Sequence, residues 1–368
     1  MKEGRNFSHS FIEKAVKSFS EEKMFAEASS RLPISKTSNK DEMISDIKSS
    51  YYDEQLVLVL GAGVSKKFGL PNWNQLLQEL IVNTIDQEEE ASIVLAKMFN
   101  QVFQPSPLIA GRFLQESHGE NKISFEKDVK RILYASCAYD VSHPTMEEVE
   151  RFCLAPMNRP NLDSIITYNF DDTLEQRLNK MSSDFPYKSI YGSGMKADKN
   201  ELAIYHVHGF LPQKGKLTEM NKITFSENIY HQQYNDVYSW NNITQINKFR
   251  DNTCLFIGTS LNDPNTRRLL DIAHSHKGDK KSYHYVFRKK YEHNTTEKML
   301  LELLQSDELL MDEKQKAEMR LKDTVKLLNE IMESFQENDS LSLGVKTIWV
   351  DEYDKISEVL SEIRKPEE

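Results

Sequence analysis

Four short segments of this 368-residue chain carry residue types that do chemistry when a fold brings them together. The first is Gly61-Ala62-Gly63-Val64-Ser65, which follows the apolar run Leu56 to Leu60 and leads into Gly69-Leu70-Pro71. A glycine turn after a strand lets backbone amides approach a phosphate closely, and Ser65 adds a hydroxyl donor. Many tight turns also need two glycines, and the third glycine of the common phosphate-binding fingerprint is missing. The second segment is Thr167-Tyr168-Asn169-Phe170-Asp171-Asp172. An asparagine at a strand end hydrogen-bonds sugar hydroxyls or orients a water, and an aspartate holds an amide or hydroxyl. Either residue could instead cap a helix begun by Thr173-Leu174-Glu175. The third is His206-Val207-His208-Gly209. Alternate strand residues share a face, so the two histidines would point the same way. That suits a metal site, for which no third ligand is evident, a general base of near-neutral pKa, or buried hydrogen-bonded rings. The fourth, Gly258-Thr259-Ser260-Leu261-Asn262-Asp263-Pro264, again ends an apolar run with glycine and hydroxyl residues. It suits a second phosphate or ribose contact, or a plain turn before a helix.

These segments depend on the elements that hold them. Leu56 to Leu60 is apolar at every position, the pattern of a strand buried on both faces of a parallel sheet. Similar runs lie at 164–167, 203–207, 254–257, 283–287 and 345–350, with helical patterns between several of them. This alternation predicts an α/β fold built on a Rossmann-like, mostly parallel sheet. Ligands of such sheets bind beyond the carboxyl ends of the strands, where all four segments fall. The stretch from about 74 to 160 is far longer than a crossover requires and is helix-patterned, through Leu76, Leu77, Leu80 and Ile81, then Ile93, Val94 and Met98, then Val129, Ile132 and Leu133. A helical subdomain inserted into the sheet domain is therefore expected. Residues 1–50 read as an N-terminal helical arm, from Phe11, Ile12 and Val16 and from Met24, Phe25 and Ala28, with Ser38-Asn39-Lys40-Asp41 as turn and cap. Residues 292–342 read as a helical hairpin with stripes at Met299-Leu300, Leu303-Leu304, Leu309-Leu310, Val325, Leu327-Leu328 and Ile331. Such a hairpin packs on the sheet or serves as an oligomer contact or lid. Residues 51–368 then form one domain, closed by a strand and helix over 343–368.

The formal net charge of −10 and pI of about 5.6 argue against direct nucleic-acid binding without a local basic patch. Arg267-Arg268 and Arg288-Lys289-Lys290 are short and read as solvated surface charge. Cys137, Cys153 and Cys254 are scattered and form no C-x-x-C pair, so neither a metal site nor a disulfide framework is expected. The natural compartment is the reducing cytoplasm. No run approaches the ~20 apolar residues of a membrane span, and no signal peptide is read at the N-terminus.

Taken in order, Gly-Ala-Gly-x-Ser with Gly-Leu-Pro downstream, Thr-x-Asn-x-Asp, His-Gly and Gly-Thr-Ser resemble the signatures of the sirtuin family, across about 56–275. The resemblance implies a Rossmann-like domain with an inserted helical module and NAD as the bound dinucleotide. By motif it assigns Gly61, Ala62, Gly63 and Ser65 to the diphosphate. Asn169 and Asp171 fall to the nicotinamide ribose and attacking water, His208 to the catalytic base, and Gly258, Thr259 and Ser260 to the adenosine side. Asp172 lies one place outside its motif, and His206 lacks the adjoining glycine.

The departures redirect the expectation. Protein deacylases of the family carry a zinc ribbon with two C-x-x-C pairs between His-Gly and Gly-Thr-Ser, and this chain has no such cysteines. The Phe-Arg that follows the Gly-Ile-Pro segment is replaced by Asn72-Trp73-Asn74. Leu261-Asn262-Asp263-Pro264, Ile223-Thr224-Phe225-Ser226 with Tyr230, and the closing strand and helix look like the bacterial sirtuin-like branch found in anti-phage defence. That resemblance implies an NAD glycohydrolase that releases nicotinamide and ADP-ribose and depletes the infected cell. A protein deacylase and a non-catalytic NAD or ADP-ribose sensor are the alternatives. The helical arms at 1–50 and 292–342 suggest a homo-oligomer, and the resemblance implies a separate HerA-type ATPase as partner, as for short chains of related defence systems. The expected absence of a fused sensor and of a G-x-x-x-x-G-K-[ST] segment fits such a partner.

Overall fold

The computed structural model describes residues 22–32, 39–85, 94, 98, 102, 106–117, 122–154, 161–181, 186–277, 282–306 and 313–366. Phe11, Ile12, Val16, Ile93 and Leu309-Leu310 lie outside them.

Seven parallel strands form one sheet: β1 Leu56–Leu60, β2 Leu162–Thr167, β3 Tyr187–Ile190, β4 Leu202–His206, β5 Thr253–Ile257, β6 His284–Lys289 and β7 Val345–Val350. Their spatial order is β3-β4-β2-β1-β5-β6-β7. The fold is thus α/β and Rossmann-like. Strand β1 sits at the switch point: the chain first builds outward on the β2 side, then crosses to β5 and builds the other way. Because every strand is parallel, the residues following β1, β2, β4 and β5 emerge along one edge.

The pleat divides the core into two layers. Leu56, Leu58, Leu60, Ile165, Ile204, Leu255 and Ile257 face one apolar cluster, joined there by Phe68, Leu77, Phe125, Val149 and Phe152. Val57, Val59, Ile166, Phe256 and Val286 face the other, under Phe249, Leu269, Leu270 and Ala273. The first layer contains the helices Trp73–Ile85, Pro107–Ser117, Lys122–Leu133 and Pro144–Cys153 from the long stretch between β1 and β2. The second is built from Trp240–Asp251 and Pro264–Ser275.

Two local findings differ from the sequence pattern. Strand β3 carries no apolar run; only Ile190 of its four residues is buried, because it is an edge strand. The helix Lys40–Tyr52 runs through the expected arm boundary near residue 50. Its Met43, Ile44, Ile47 and Tyr51 belong to the main core, Tyr285 donates to Asp46 at 2.9 Å, and Ser50 bonds Thr253 at 2.8 Å. Asn39 caps this helix by accepting from the Asp41 amide at 3.3 Å.

The preceding helix, Glu22–Arg31, packs on the long helix Leu321–Ser342, with Ser29 bonded to Glu330. The helices His293–Gln305 and Leu321–Ser342 share a small cluster of Leu300, Leu304 and Val325. Among the described residues no helix is long and apolar enough to cross a membrane.

Candidate active site

The glycine turns after β1 and β5 fit against one another backbone to backbone. The Gly61 amide donates to Ile257 O at 3.0 Å, and the Gly63 amide to Gly258 O at 2.9 Å. A Cβ on Gly63 would lie 2.7 Å from Gly258 Cα, and one on Gly258 would lie 2.7 Å from the Val64 nitrogen. Gly258 also holds φ +70°, the left-handed region that favours glycine. The glycines of the first and fourth motifs therefore form one surface. Ala62 and Gly63 on it are exposed, Thr259 is half-buried and Ser260 is exposed.

Asn169 fastens the end of β2 to this surface. Its Nδ2 donates to Gly61 O at 3.1 Å and to Ser65 Oγ at 3.0 Å. Since Gly61 O can only accept, the contact fixes which end of the amide faces it. Ser65 in turn donates to Asp171 Oδ1 at 3.3 Å, and that oxygen also accepts the Thr173 amide at 3.0 Å. Burial pushes the Asp171 carboxyl above its usual range, with the Thr173 contacts opposing it. Asp171 thus acts on Asn169 through Ser65 while capping the helix Thr173–Met181. Ser65 itself is buried and turned into this chain rather than toward solvent.

Asp172 has another task. It accepts from Tyr134 Oη at 2.9 Å, Gln176 Nε2 at 2.9 Å and the Gln213 amide at 3.0 Å. These contacts tie the helical module and the loop after β4 to the sheet.

The two histidines do not share surroundings, which corrects the alternate-residue expectation. Strand β4 ends at His206, and the Gly209 amide turns back to His206 O at 3.1 Å, so strand periodicity stops before His208. His206 is held by Glu175 at 2.7 Å and packs on Phe210 with ring centres 4.2 Å apart. It is a buried, hydrogen-bonded ring. His208 is packed edge-on against Tyr168 (4.8 Å) and Tyr230 (5.9 Å), and its Nε2 is buried without a protein partner. Such a nitrogen costs free energy unless something meets it. Burial pushes the His208 pKa down, against the opposing pull of Asp263. Asp263 is pushed up by burial but held below the usual range by His208 and by bonds from Tyr230 (2.6 Å) and Thr266 (2.7 Å from its amide). Among the described residues no hydrogen bond joins His208 to Asn169; His208 instead packs on Tyr168, the residue before it.

Gly209 shows why a glycine must follow this histidine. It sits at φ +103°, and a Cβ there would come 2.1 Å from Lys222 O and 2.7 Å from Ile223 Cα. The adjoining Thr224 amide donates to His208 O at 2.7 Å. Gly209→Ala is expected to cost about 2–4 kcal/mol from strain and crowding together. A urea midpoint equal to wild type would contradict this.

A cavity of about 680 Å³ opens beside the glycine surface, on the β5 side of β1. Gly63, Gly258, Thr259 and Ser260 line it, and so do Arg288, Lys289 and Lys290 from the end of β6. The basic triplet is therefore at a cavity wall, a placement that its sequence alone did not reveal. Asn169 and His206 line a much smaller space of about 10 Å³, with Ser65 and Asp171. Tyr168, Tyr230 and Asp263 complete the His208 surroundings; Asp263 was visible only as part of the fourth motif. Among the described residues no group of His, Cys, Asp and Glu gathers as metal ligands would.

Residues 163–310 match the family described as SIR2-like domain. Over 309 residues the chain is 22% identical to a protein of Enterococcus faecium named NAD(+) hydrolase ThsA, covering 83% of this chain and 54% of that protein. Over 253 residues it is 23% identical to a protein of the same name from Acinetobacter baumannii (strain 532279), covering 67% of this chain and 45% of that one. The chain spans about half the length of these curated relatives. The span similar to a SIR2-like domain carries Asn169, His208 and the Gly258 turn, and the Gly61–Gly63 turn that packs on Gly258 lies ahead of it.

Proposed function

We propose that this protein is an NAD glycohydrolase, which cleaves NAD with water to nicotinamide, ADP-ribose and a proton. The observation that carries the reading is His208 Nε2, buried and unpartnered at the same sheet edge as the Gly61–Gly63 turn and Asn169. The names of the two relatives support the same chemistry.

In this reading the exposed Ala62 amide of the first turn and the Thr259-Ser260 segment take the diphosphate and adenosine side, while the Gly61 and Gly63 amides hold the two turns together. Asn169, fixed through its nitrogen, offers Oδ1 to the nicotinamide ribose or to water. The nicotinamide ring leaves neutral from a positively charged state, so the bond is already activated. The site must hold the extended dinucleotide, stabilise an oxocarbenium-like state and remove a proton from the attacking water. A histidine kept neutral by burial is suited to accept that proton. Asp171 and Ser65 position Asn169.

The wider role we propose is depletion of NAD during anti-phage defence, in the cytoplasm, by a homo-oligomer working with a HerA-type ATPase. Resemblance supports that part, and co-purification with the ATPase tests it. The central test incubates the full chain with NAD, alone and with the ATPase, and quantifies nicotinamide and ADP-ribose. Equimolar release of both is expected. Neither product under either condition would sink the proposal. Product formed only with an acyl-lysine peptide would redirect it to a deacylase, and binding without turnover to a sensor.

A further inference from the structure

The cavity on the β5 side carries a partly buried cation, Arg288, that no carboxylate pairs among the described residues. Strand β1 is central, with Asn169 and His208 at the ends of strands on one flank and this cavity on the other. A dinucleotide with its diphosphate at the glycine surface and its nicotinamide half toward Asn169 must send its adenosine half into the cavity. The wall there presents Lys66, Lys67, Arg288, Lys289 and Lys290 but only Glu292 and Asp354 as carboxylates, in a chain of net charge −10.

Three of these five cations are paired, and Lys66 is exposed to solvent. Lys67 is bound to Asp354, Lys289 to Glu292 and Glu352, and Lys290 to Asp351 at 3.0 Å. The carboxylates at the wall are thereby engaged. Arg288 is different. Its Nη2 donates to Ser260 O at 3.3 Å and Ser340 Oγ at 3.2 Å, while its Nε is buried with no protein partner. Asp339, the acidic side chain whose field it feels most, is held by both terminal nitrogens of Arg267 at 2.8 and 2.7 Å. His143 on the same cavity also has both ring nitrogens buried and unpartnered.

In dinucleotide sites a carboxylate at the adenosine ribose selects a free 2′-hydroxyl, whereas an arginine accommodates a 2′-phosphate. The guanidinium fork matches phosphate geometry and keeps its charge when partly buried. We infer that the adenosine end of this site is built for a phosphorylated ribose, so that NADP and 2′-phospho-ADP-ribose are ligands of this protein and Arg288 reads the extra phosphate. The inference rests on the dinucleotide reading given above.

The test is calorimetric titration of the full chain with ADP-ribose and with 2′-phospho-ADP-ribose. The phosphorylated ligand is expected to bind at least about 10-fold more tightly, the worth of one charge-assisted hydrogen bond. In Arg288→Gln that ratio should fall to about one, with Arg288→Lys between. Arg288 also touches Ser260 and Ser340, so a second measurement uses wild type alone. There the ratio should shrink as salt rises from about 0.05 to about 0.5 M. Equal affinities for the two ligands in wild type would overturn the inference and leave the dinucleotide site standing. Failure of both ligands to bind would overturn the site itself. A ratio unmoved by Arg288→Gln would remove Arg288 as the reader.

Discussion

Nicotinamide release from NAD is expected to fall about 10²- to 10³-fold when Asn169 is replaced by alanine, the cost of losing one preorganised polar group and the geometry it fixes. The expectation follows from how the side chain is held. Both Nδ2 contacts are spent inside the protein, on Gly61 O and Ser65 Oγ, and the backbone amide donates to Thr167 Oγ1 at 3.1 Å. The amide plane is therefore locked before any ligand arrives, and its carbonyl oxygen accepts no hydrogen bond among the described residues. An oxygen fixed in this way can favour the reacting geometry without paying to organise itself. The loss should appear mainly in kcat, with KM changed by less than about threefold, because diphosphate contacts do not use this side chain. Asn169→Asp separates position from identity. It keeps an acceptor oxygen but places a carboxylate against Gly61 O, so it should lose activity and also stability. An alanine variant that retains more than about a third of wild-type kcat would exclude Asn169 from the chemistry.

What the sequence disclosed, and what it hid, follows from where each signal originates. Leu56 to Leu60 was readable as a buried parallel strand because β1 is central and both its faces are covered. Tyr187–Ile190 was not, because an edge strand buries little and has no run to show. The strand-end motifs were readable because a parallel sheet brings all carboxyl ends to one edge, whatever the sequence distance between them. The pairing of charges was not. His206 finds Glu175, Lys67 finds Asp354 and Arg267 finds Asp339 through tertiary placement, and no local pattern announces these partners. For the same reason Arg288-Lys289-Lys290 reads as surface charge in sequence, although it lines the cavity of about 680 Å³ beside the glycine surface. The histidine pair shows a third limit. The two-residue period holds only while the strand continues, and β4 stops at His206.

Replacing His208 by alanine is expected to lower NAD turnover about 10²- to 10⁴-fold, the range for loss of a positioned general base. Its pH dependence carries the sharper test. Burial depresses the His208 pKa below its ordinary value of about 6.5, and the Asp263 carboxylate partly offsets this. A base must be unprotonated to act, so kcat/KM should be level near neutrality and fall on the acid side, with a break below pH about 6.5. Asp263→Asn keeps one oxygen for the Thr266 amide and places its NH2 toward Tyr230 Oη, which can accept, while removing the negative charge. Without that charge the imidazolium loses its stabilising neighbour, the His208 pKa drops further, and the break must move to lower pH. The shift is toward activity in more acid solution, opposite to what general loss of structure would give. In His208→Gln, which fills similar space and cannot titrate, the residual activity should lack this break. A break at the same pH in wild type, Asp263→Asn and His208→Gln would assign the titration to another group and remove His208 as the base.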